Sequence, residues 1–164
     1  MIGPWPGPYG GVPPWDQARA EYFPAAFEAA LAEQRAEIAA IVSAPAPPTF
    51  DNTIAALERS GSARDRVERM FAVLSENVTT SAIQALEEAW LPRLTAATDE
   101  VLLNAALFAR IEAVYKHATT RPEDLSPEAV RVTTLIYERF ARCGARLEPA
   151  AKGRLSAINQ QLAA

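Results

Sequence analysis

The chain has 164 residues, of which 49% are apolar and 22% charged, and its formal net charge at pH 7 is −4. This is the size and balance of one globular domain that buries a core without disulfides or metals. No apolar run approaches the roughly 20 residues that cross a bilayer, so we expect no membrane partner. We also expect no nucleic-acid partner, because that affinity needs a clustered excess of Lys and Arg.

The chain carries one cysteine, Cys143, and one histidine, His117. These counts exclude an internal disulfide, a multi-cysteine metal site and an HExxH zinc motif, which needs two histidines one helical turn apart. GxSxG, CxxC, P-loop and GxGxxG patterns are also absent from the sequence. We therefore expect no catalytic residue, no cofactor-binding residue and no metal ligand in this chain.

Residues 1–15 contain five prolines, four glycines and the aromatic residues Trp5, Tyr9 and Trp15. Such a composition favours extended backbone, and large aromatic side chains are costly to leave in water. We predict an extended arm that lies against the body; a proline-rich ligand segment is the alternative. The amino terminus lacks a positive residue and an apolar core, so we expect a cytoplasmic protein, with the mature form of an exported protein as the alternative.

The first helix should begin near Phe23, because Pro24 fits only in a first turn. Its apolar residues recur at spacings of three and four, which predicts one buried face made of Phe23, Phe27, Ala30, Leu31, Ile38, Ile41 and Val42. A proline linker then ends the helix, and Thr49 with Asn52 forms a capping-box pattern for the next one.

The second helical pattern passes through Gly61, which indicates either a close helix contact or a break between two shorter helices. The mixed charged run at 59–69 is typical of a solvated face. Residues 79–81 supply the next cap, and Pro92 should kink or divide the third helix. Asn104 should cap a fourth helix that ends after Tyr115.

Ser126, Pro127 and Glu128 form a strong start signal for a fifth helix. We expect it to carry an apolar stripe of Val130, Leu135, Tyr137, Phe140 and Leu147. A sixth helix should follow Pro149, with Leu155, Ile158 and Leu162 on one side. No segment alternates with a period of two. The sequence thus predicts an all-α fold: an antiparallel helical domain of about six helices over residues 16–164, preceded by the extended Pro/Gly/aromatic arm of residues 1–15.

Arg139, Arg142 and Arg146 fall at i, i+3 and i+7 on the expected fifth helix, so they should share a face. This face is the candidate peptide-contact site, where guanidinium groups would receive a peptide carboxylate or a partner's acidic patch. The alternative is a solvated stripe, paired in part with Glu138 and Glu148.

Four collinear motifs resemble one known family, and the resemblance covers about residues 5–163. The motifs are PPWD with EYFPAAFEAAL, PPTFDNTIAALERSG, LNAALFARIEAVY, and YERFARCGARLEPAAKGRLSAINQQLA. In this order they resemble the amino-terminal part of zinc oligopeptidases of the thimet oligopeptidase family, especially the bacterial peptidyl-dipeptidase branch, with oligopeptidase A as the next relative.

The resemblance implies a helical enzyme in which this domain faces a catalytic domain across a deep channel that admits short peptides. In such enzymes two histidines of HExxH and a later glutamate hold zinc, and all of them lie in the carboxyl-terminal region. The resemblance thus implies zinc in the parent enzyme, the catalytic carboxyl-terminal domain as partner, and no activity in this chain alone. It also makes Trp15, Phe23 and Phe27 the expected anchors of the arm.

The apolar pattern of the last helix runs on to Ala164 without a glycine cap, which we take as a sign of a fragment of a longer protein. A free-standing helical peptide- or protein-binding module is the alternative.

Overall fold

The computed structural model describes residues 1–8, 10–78 and 80–163. Three residues named above, the arm aromatic Tyr9, the cap residue Thr79 and the terminal Ala164, lie outside this range. The described residues form helices and no strand, so the all-α prediction is confirmed. Their α-helices are α1 (Phe23–Ser43), α2 (Ala56–Arg59), α3 (Ser62–Asn77), α4 (Ser81–Leu102), α5 (Ala105–Thr120), α6 (Pro127–Arg142) and α7 (Pro149–Leu162). All except α2 have 14 residues or more, which agrees with the expected six.

Side-chain caps begin three of these helices, and the turn that precedes α2, where the sequence placed them. The backbone N–H of Thr49 donates to Asn52 Oδ1 at 2.8 Å, and the backbone N–H of Asn52 donates to Thr49 Oγ1 at 3.2 Å. This capping box starts a π-helical turn, Phe50–Ala55, that leads into α2. Three further caps, at the starts of α4, α5 and α6, are Thr80, Asn104 and Ser126.

Gly61 separates α2 from α3. Its φ of +76° lies in the left-handed region that favours glycine. Its backbone N–H donates to Glu37 Oε2 of α1 at 2.7 Å, and an added Cβ would lie 2.5 Å from Gln34 Nε2. The break and the close contact, which the sequence left as alternatives, therefore occur together. Pro92, in contrast, lies inside α4 and does not divide it.

The core contains two hydrophobic clusters. The first cluster joins the beginning of α1 to α3 and to the first part of α4, with Phe23, Phe27, Leu31, Val67, Met70, Phe71, Trp90 and Leu94 among its members. The second cluster joins the end of α1 to the π-helical turn, α5 and α6, with Ile38, Ile41, Ile54, Leu107, Ile111, Tyr137 and Phe140 among its members. The predicted inner face of α1 is therefore confirmed, and it serves both clusters.

The arm lies against the first cluster, as expected, but through other residues. Met1, Ile2 and Trp5 pack on that cluster, and Arg66 Nε donates to Ile2 O at 2.7 Å. Trp15 begins a short 3-10 turn with no buried residue and is 43% exposed. Its expected role as an anchor is wrong, and Trp5 has that role instead.

The end of α6 also differs from the prediction. The helix stops at Arg142, and Gly144, with φ of +97°, turns the chain so that the Ala145 N–H donates to Phe140 O at 3.0 Å. Leu147 therefore lies beyond the helix, and both Leu147 and Leu135 are 43% exposed. The buried face consists of Ala129, Thr133, Ile136, Tyr137 and Phe140.

The last helix, α7, packs mainly on α4 and has no buried residue. Lys152 Nζ donates to Leu103 O at 3.0 Å, and Asn159 Nδ2 donates to Asp99 Oδ1 at 2.9 Å. Of the predicted apolar side, Ile158 is 42% exposed and Leu162 is 82% exposed. Polar contacts hold this helix, and its apolar side is covered only in part.

Replacing Phe27 with Ala should lower the free energy of unfolding by about 3–5 kcal/mol. Phe27 is 1% exposed, and its ring centroid lies 4.9 Å from that of Trp90 and 5.4 Å from that of Phe71. Urea unfolding followed by circular dichroism measures the loss. Tyr22→Ala is the control, because Tyr22 is 49% exposed and should cost less than about 1 kcal/mol. Equal costs for the two variants would contradict the assigned inner face of α1.

Candidate functional site

The three arginines of the candidate peptide-contact face do not all lie on one helix face, because α6 contains Arg139 and Arg142 but ends before Arg146. Arg139 lines a groove with residues of α2, α3 and α4. Arg142, the last residue of α6, lines a separate cavity of about 230 Å³ together with Arg146, which lies in the turn after the helix. The predicted common face is wrong because Gly144 turns the chain before Arg146. Of the three, Arg142 and Arg146 line the same cavity.

The Arg146 guanidinium lies against Tyr137. Its Nη2 atom donates to Tyr137 Oη, and its Cζ atom lies 5.2 Å from the centroid of the Tyr137 ring. This is the geometry of a cation–π contact. Arg142 is held differently, with Nη2 3.5 Å from Glu138 Oε2 and with Nε donating to Glu138 O at 3.3 Å.

The solvated-stripe alternative thus applies to one arginine of this pair. Arg142 forms the expected pair with Glu138, and its side chain is 73% exposed. Arg146 is exposed too, but within the described part of the chain it has no carboxylate partner, and Glu148 does not pair with it. The peptide-contact role of the three arginines stays a prediction.

A second polar feature, which the sequence did not reveal, separates the two hydrophobic clusters. Arg64 is 8% exposed and donates to acceptors on three helices. Its acceptors are Glu68 Oε1 at 2.6 Å, Gln34 Oε1 at 3.1 Å, Leu94 O at 2.9 Å and Thr98 Oγ1 at 2.6 Å. We call Arg64 and these four partners the polar layer.

The polar layer borders three open grooves, one of which, of about 400 Å³, lies between α3 and α4. The polar groove, of about 370 Å³, has Glu58, Asp65 and Arg139 in its wall together with Arg64 and Glu68. The apolar groove, of about 310 Å³, lies between α1 and α4, and Gln34 and Val101 line both the polar and the apolar groove.

Arg35 and Glu100, which line the apolar groove, form a bidentate pair. Arg35 Nε lies 2.8 Å from Glu100 Oε2, and Arg35 Nη2 lies 3.2 Å from Glu100 Oε1. The hydrogen bond to Glu100 raises the pKa of Arg35.

The spacing of Arg64 is the signal that sequence reasoning missed. Arg64 belongs to the charged run at 59–69, whose composition is typical of a solvated face. The other five charged residues of the run fit a solvated face better than Arg64 does, because none of them is buried. However, Arg64 lies three residues after Gly61 and three before Val67, which are both buried on the apolar stripe. Its position therefore pointed to the interior, although its residue type did not.

Neither a metal site nor a membrane span is found in the described residues. They contain no group of three or more His, Cys, Asp or Glu side chains that could hold a metal ion. Over the same residues, no helix combines the length and the apolar character needed to cross a bilayer. The polar and apolar grooves offer charged and apolar groups for binding.

Comparison with known proteins gives one consistent similarity. The chain matches no known family model. Over 152 residues, or 93% of its length, it is 36% identical to the dipeptidyl carboxypeptidase of Salmonella typhimurium and 35% identical to that of Escherichia coli. These similarities support a common origin with dipeptidyl carboxypeptidases. The matched region is 22% of each relative, so the chain spans about a fifth of their length.

Replacing Arg64 with Met should lower the free energy of unfolding by about 2–4 kcal/mol, because the buried acceptors around it lose a charged donor. Urea unfolding at neutral pH measures this loss. Arg35→Met is the matched control: it also removes an arginine that bridges two helices, but Arg35 and Glu100 are 54% and 53% exposed. That variant should cost less than about 1 kcal/mol. If Arg64→Met were as mild as the control, the polar layer would not hold the clusters together.

Proposed function

We propose that this chain is the amino-terminal helical part of a cytoplasmic zinc peptidase of the thimet oligopeptidase family, which cleaves short peptides. In this proposal residues 16–164 form a non-catalytic domain, residues 1–15 form its arm, and the domain is the channel wall opposite the catalytic domain. Oligopeptidase A is then the next relative after the dipeptidyl carboxypeptidases. The observation that carries the proposal is the 36% identity over 93% of the chain to a relative about four times as long.

The zinc ligands belong, in this proposal, to the rest of the parent protein. The chain has a single histidine, and its described residues hold no metal-binding group. They do not fit a zinc site of two histidines and a carboxylate. The part assigned to this chain is therefore to bound the channel and to limit which peptides enter it, by position and shape.

The half-covered side of α7 supports contact with the carboxyl-terminal remainder. Ile158 and Leu162 are exposed there, and Leu147 of the turn before α7 is 43% exposed. Covering one such side chain completely is worth about 1.5–3 kcal/mol. A partner that packs on α7 would therefore gain most of its affinity from these residues.

The free-standing binding module remains a second candidate, and one observation favours it. The described residues form two hydrophobic clusters of their own, and Arg64 is buried between them. The chain has the core that an independent domain needs.

The purified chain should release no dipeptide from short peptides in the presence of zinc, because it lacks the residues of the metal site. Mixing it with the separately expressed remainder of the parent should restore cleavage, which chromatography of the products can follow. Turnover by the chain alone would contradict the proposal. So would a reading frame that closes directly after Ala164 in the gene, which would favour the free-standing module.

Replacing both Ile158 and Leu162 with Glu should weaken association with that remainder by at least about tenfold, or 1.4 kcal/mol. Isothermal titration calorimetry measures the affinity, and circular dichroism should stay unchanged because α7 has no buried residue. Leu135→Glu is the control, since Leu135 is 43% exposed on α6. An equal loss from the control would mean that the partner does not pack on α7.

A further inference from the structure

The cavity between Arg142 and Arg146 has a rigid aromatic floor. Tyr137 is 8% exposed, and its ring is stacked on Tyr115 with centroids 3.9 Å apart and planes 6° apart. The ring centroid of Phe108 lies 5.7 Å from that of Tyr137, and the two ring planes are 12° apart. Because these rings are part of the second cluster or packed against it, the floor is continuous with the core.

Arg146 is fixed above this floor although it is exposed. Its guanidinium lies against Tyr137, and the turn that carries it is anchored on both sides. The Leu147 N–H donates to Gly144 O at 3.0 Å, and an added Cβ at Gly144 would lie 2.8 Å from Leu155 and 3.0 Å from Leu147. An arginine already held in place loses less side-chain entropy when it binds a ligand than a free one does.

The charges of the cavity favour an anion. Its wall contains two guanidinium groups and one carboxylate, Glu138, which contacts Arg142. Arg146 uses Nη2 for Tyr137 Oη and has no hydrogen bond from its other N–H groups to any described residue. A guanidinium group matches a carboxylate, with which it forms two parallel hydrogen bonds.

We propose that this cavity binds the carboxylate of a peptide between Arg142 and Arg146. Arg146 keeps its contact with Tyr137 and presents its free N–H groups, while Arg142 exchanges Glu138 for the ligand. The volume of about 230 Å³ is below the ~300–1,000 Å³ of ordinary ligand sites, so it fits one residue that bears the carboxylate and not a long segment. This binding depends on neither the zinc nor the peptidase assignment.

The affinity should be weak, because both arginines are open to water and salt screens such contacts. We expect a dissociation constant on the order of 1 mM at low ionic strength for a single carboxylate held by two guanidinium groups.

The test is a titration of the full chain, observed by NMR, with three capped dipeptides. N-acetyl-dialanine has a terminal carboxylate, its amide has none, and N-acetyl-Ala-Glu-amide has a side-chain carboxylate only. The acids should shift the resonances of the Tyr137 ring and the Arg146 side chain, and their relative affinities tell whether a chain end or an acidic side chain is preferred. Equal shifts with dialanine amide, or no saturation up to tens of millimolar acid, would overturn the proposal.

Variants identify the groups that bind. Arg146→Gln and Arg142→Gln should each weaken binding of the acids at least about fivefold, and Arg146→Lys should restore only part of the loss, because an ammonium group lacks the planar fork. Arg139→Gln is the control: it removes an exposed arginine from the same end of α6, but one that lines the polar groove. Unchanged binding in both glutamine variants, or an equal loss in the control, would refute the assignment. The three sites are exposed, so each variant should fold, which the Tyr137 ring resonances verify.

Discussion

The structure depends on one buried charge, Arg64. Its guanidinium joins α1, α3 and α4 where the two hydrophobic clusters meet, and each of its hydrogen bonds ends on an oxygen of Gln34, Glu68, Leu94 or Thr98. A charge in this position is tolerable only because those acceptors replace water. They also fix how far α1 and α4 stand apart. The polar and apolar grooves open beside this layer. At this level hydrogen-bonded polar side chains connect α1, α3 and α4, and these side chains do not fill the space between the helices as interdigitated apolar side chains would.

Much of the fold could be predicted because local chemistry determines it. The capping box of Thr49 and Asn52, the caps at Asn104 and Ser126, and the inner face of α1 each depend on residues within a few positions of one another. Such signals are read correctly from sequence when tertiary contacts agree with them. The burial of Phe23 and Phe27 follows from spacing alone, and the structure confirms it.

The remaining features were set by contacts that are distant in sequence. Trp5 and Trp15 have the same chemistry, and only the position of α3 decides that the arm packs through Trp5. Arg64 has the composition of a surface residue, and its burial depends on acceptors 30 and 34 positions away. The periodic pattern also runs through Gly144 without a break, so it placed Arg146 on α6. The positive φ of that glycine is what moved Arg146 onto Tyr137.

The turn after α6 therefore has two roles. On one side, Leu147, Leu155 and Leu103 lie within 3.5 Å of the position that a Cβ on Gly144 would take. On the other side, the same turn holds Arg146 over the Tyr137 ring. The position of Arg146 thus depends on the packing of α7 against α4, although α7 itself has no buried residue. A protein surface that covers Leu147 and Ile158 would stabilise this packing. The Arg146 guanidinium would then be held more firmly, although that protein surface would not contact it.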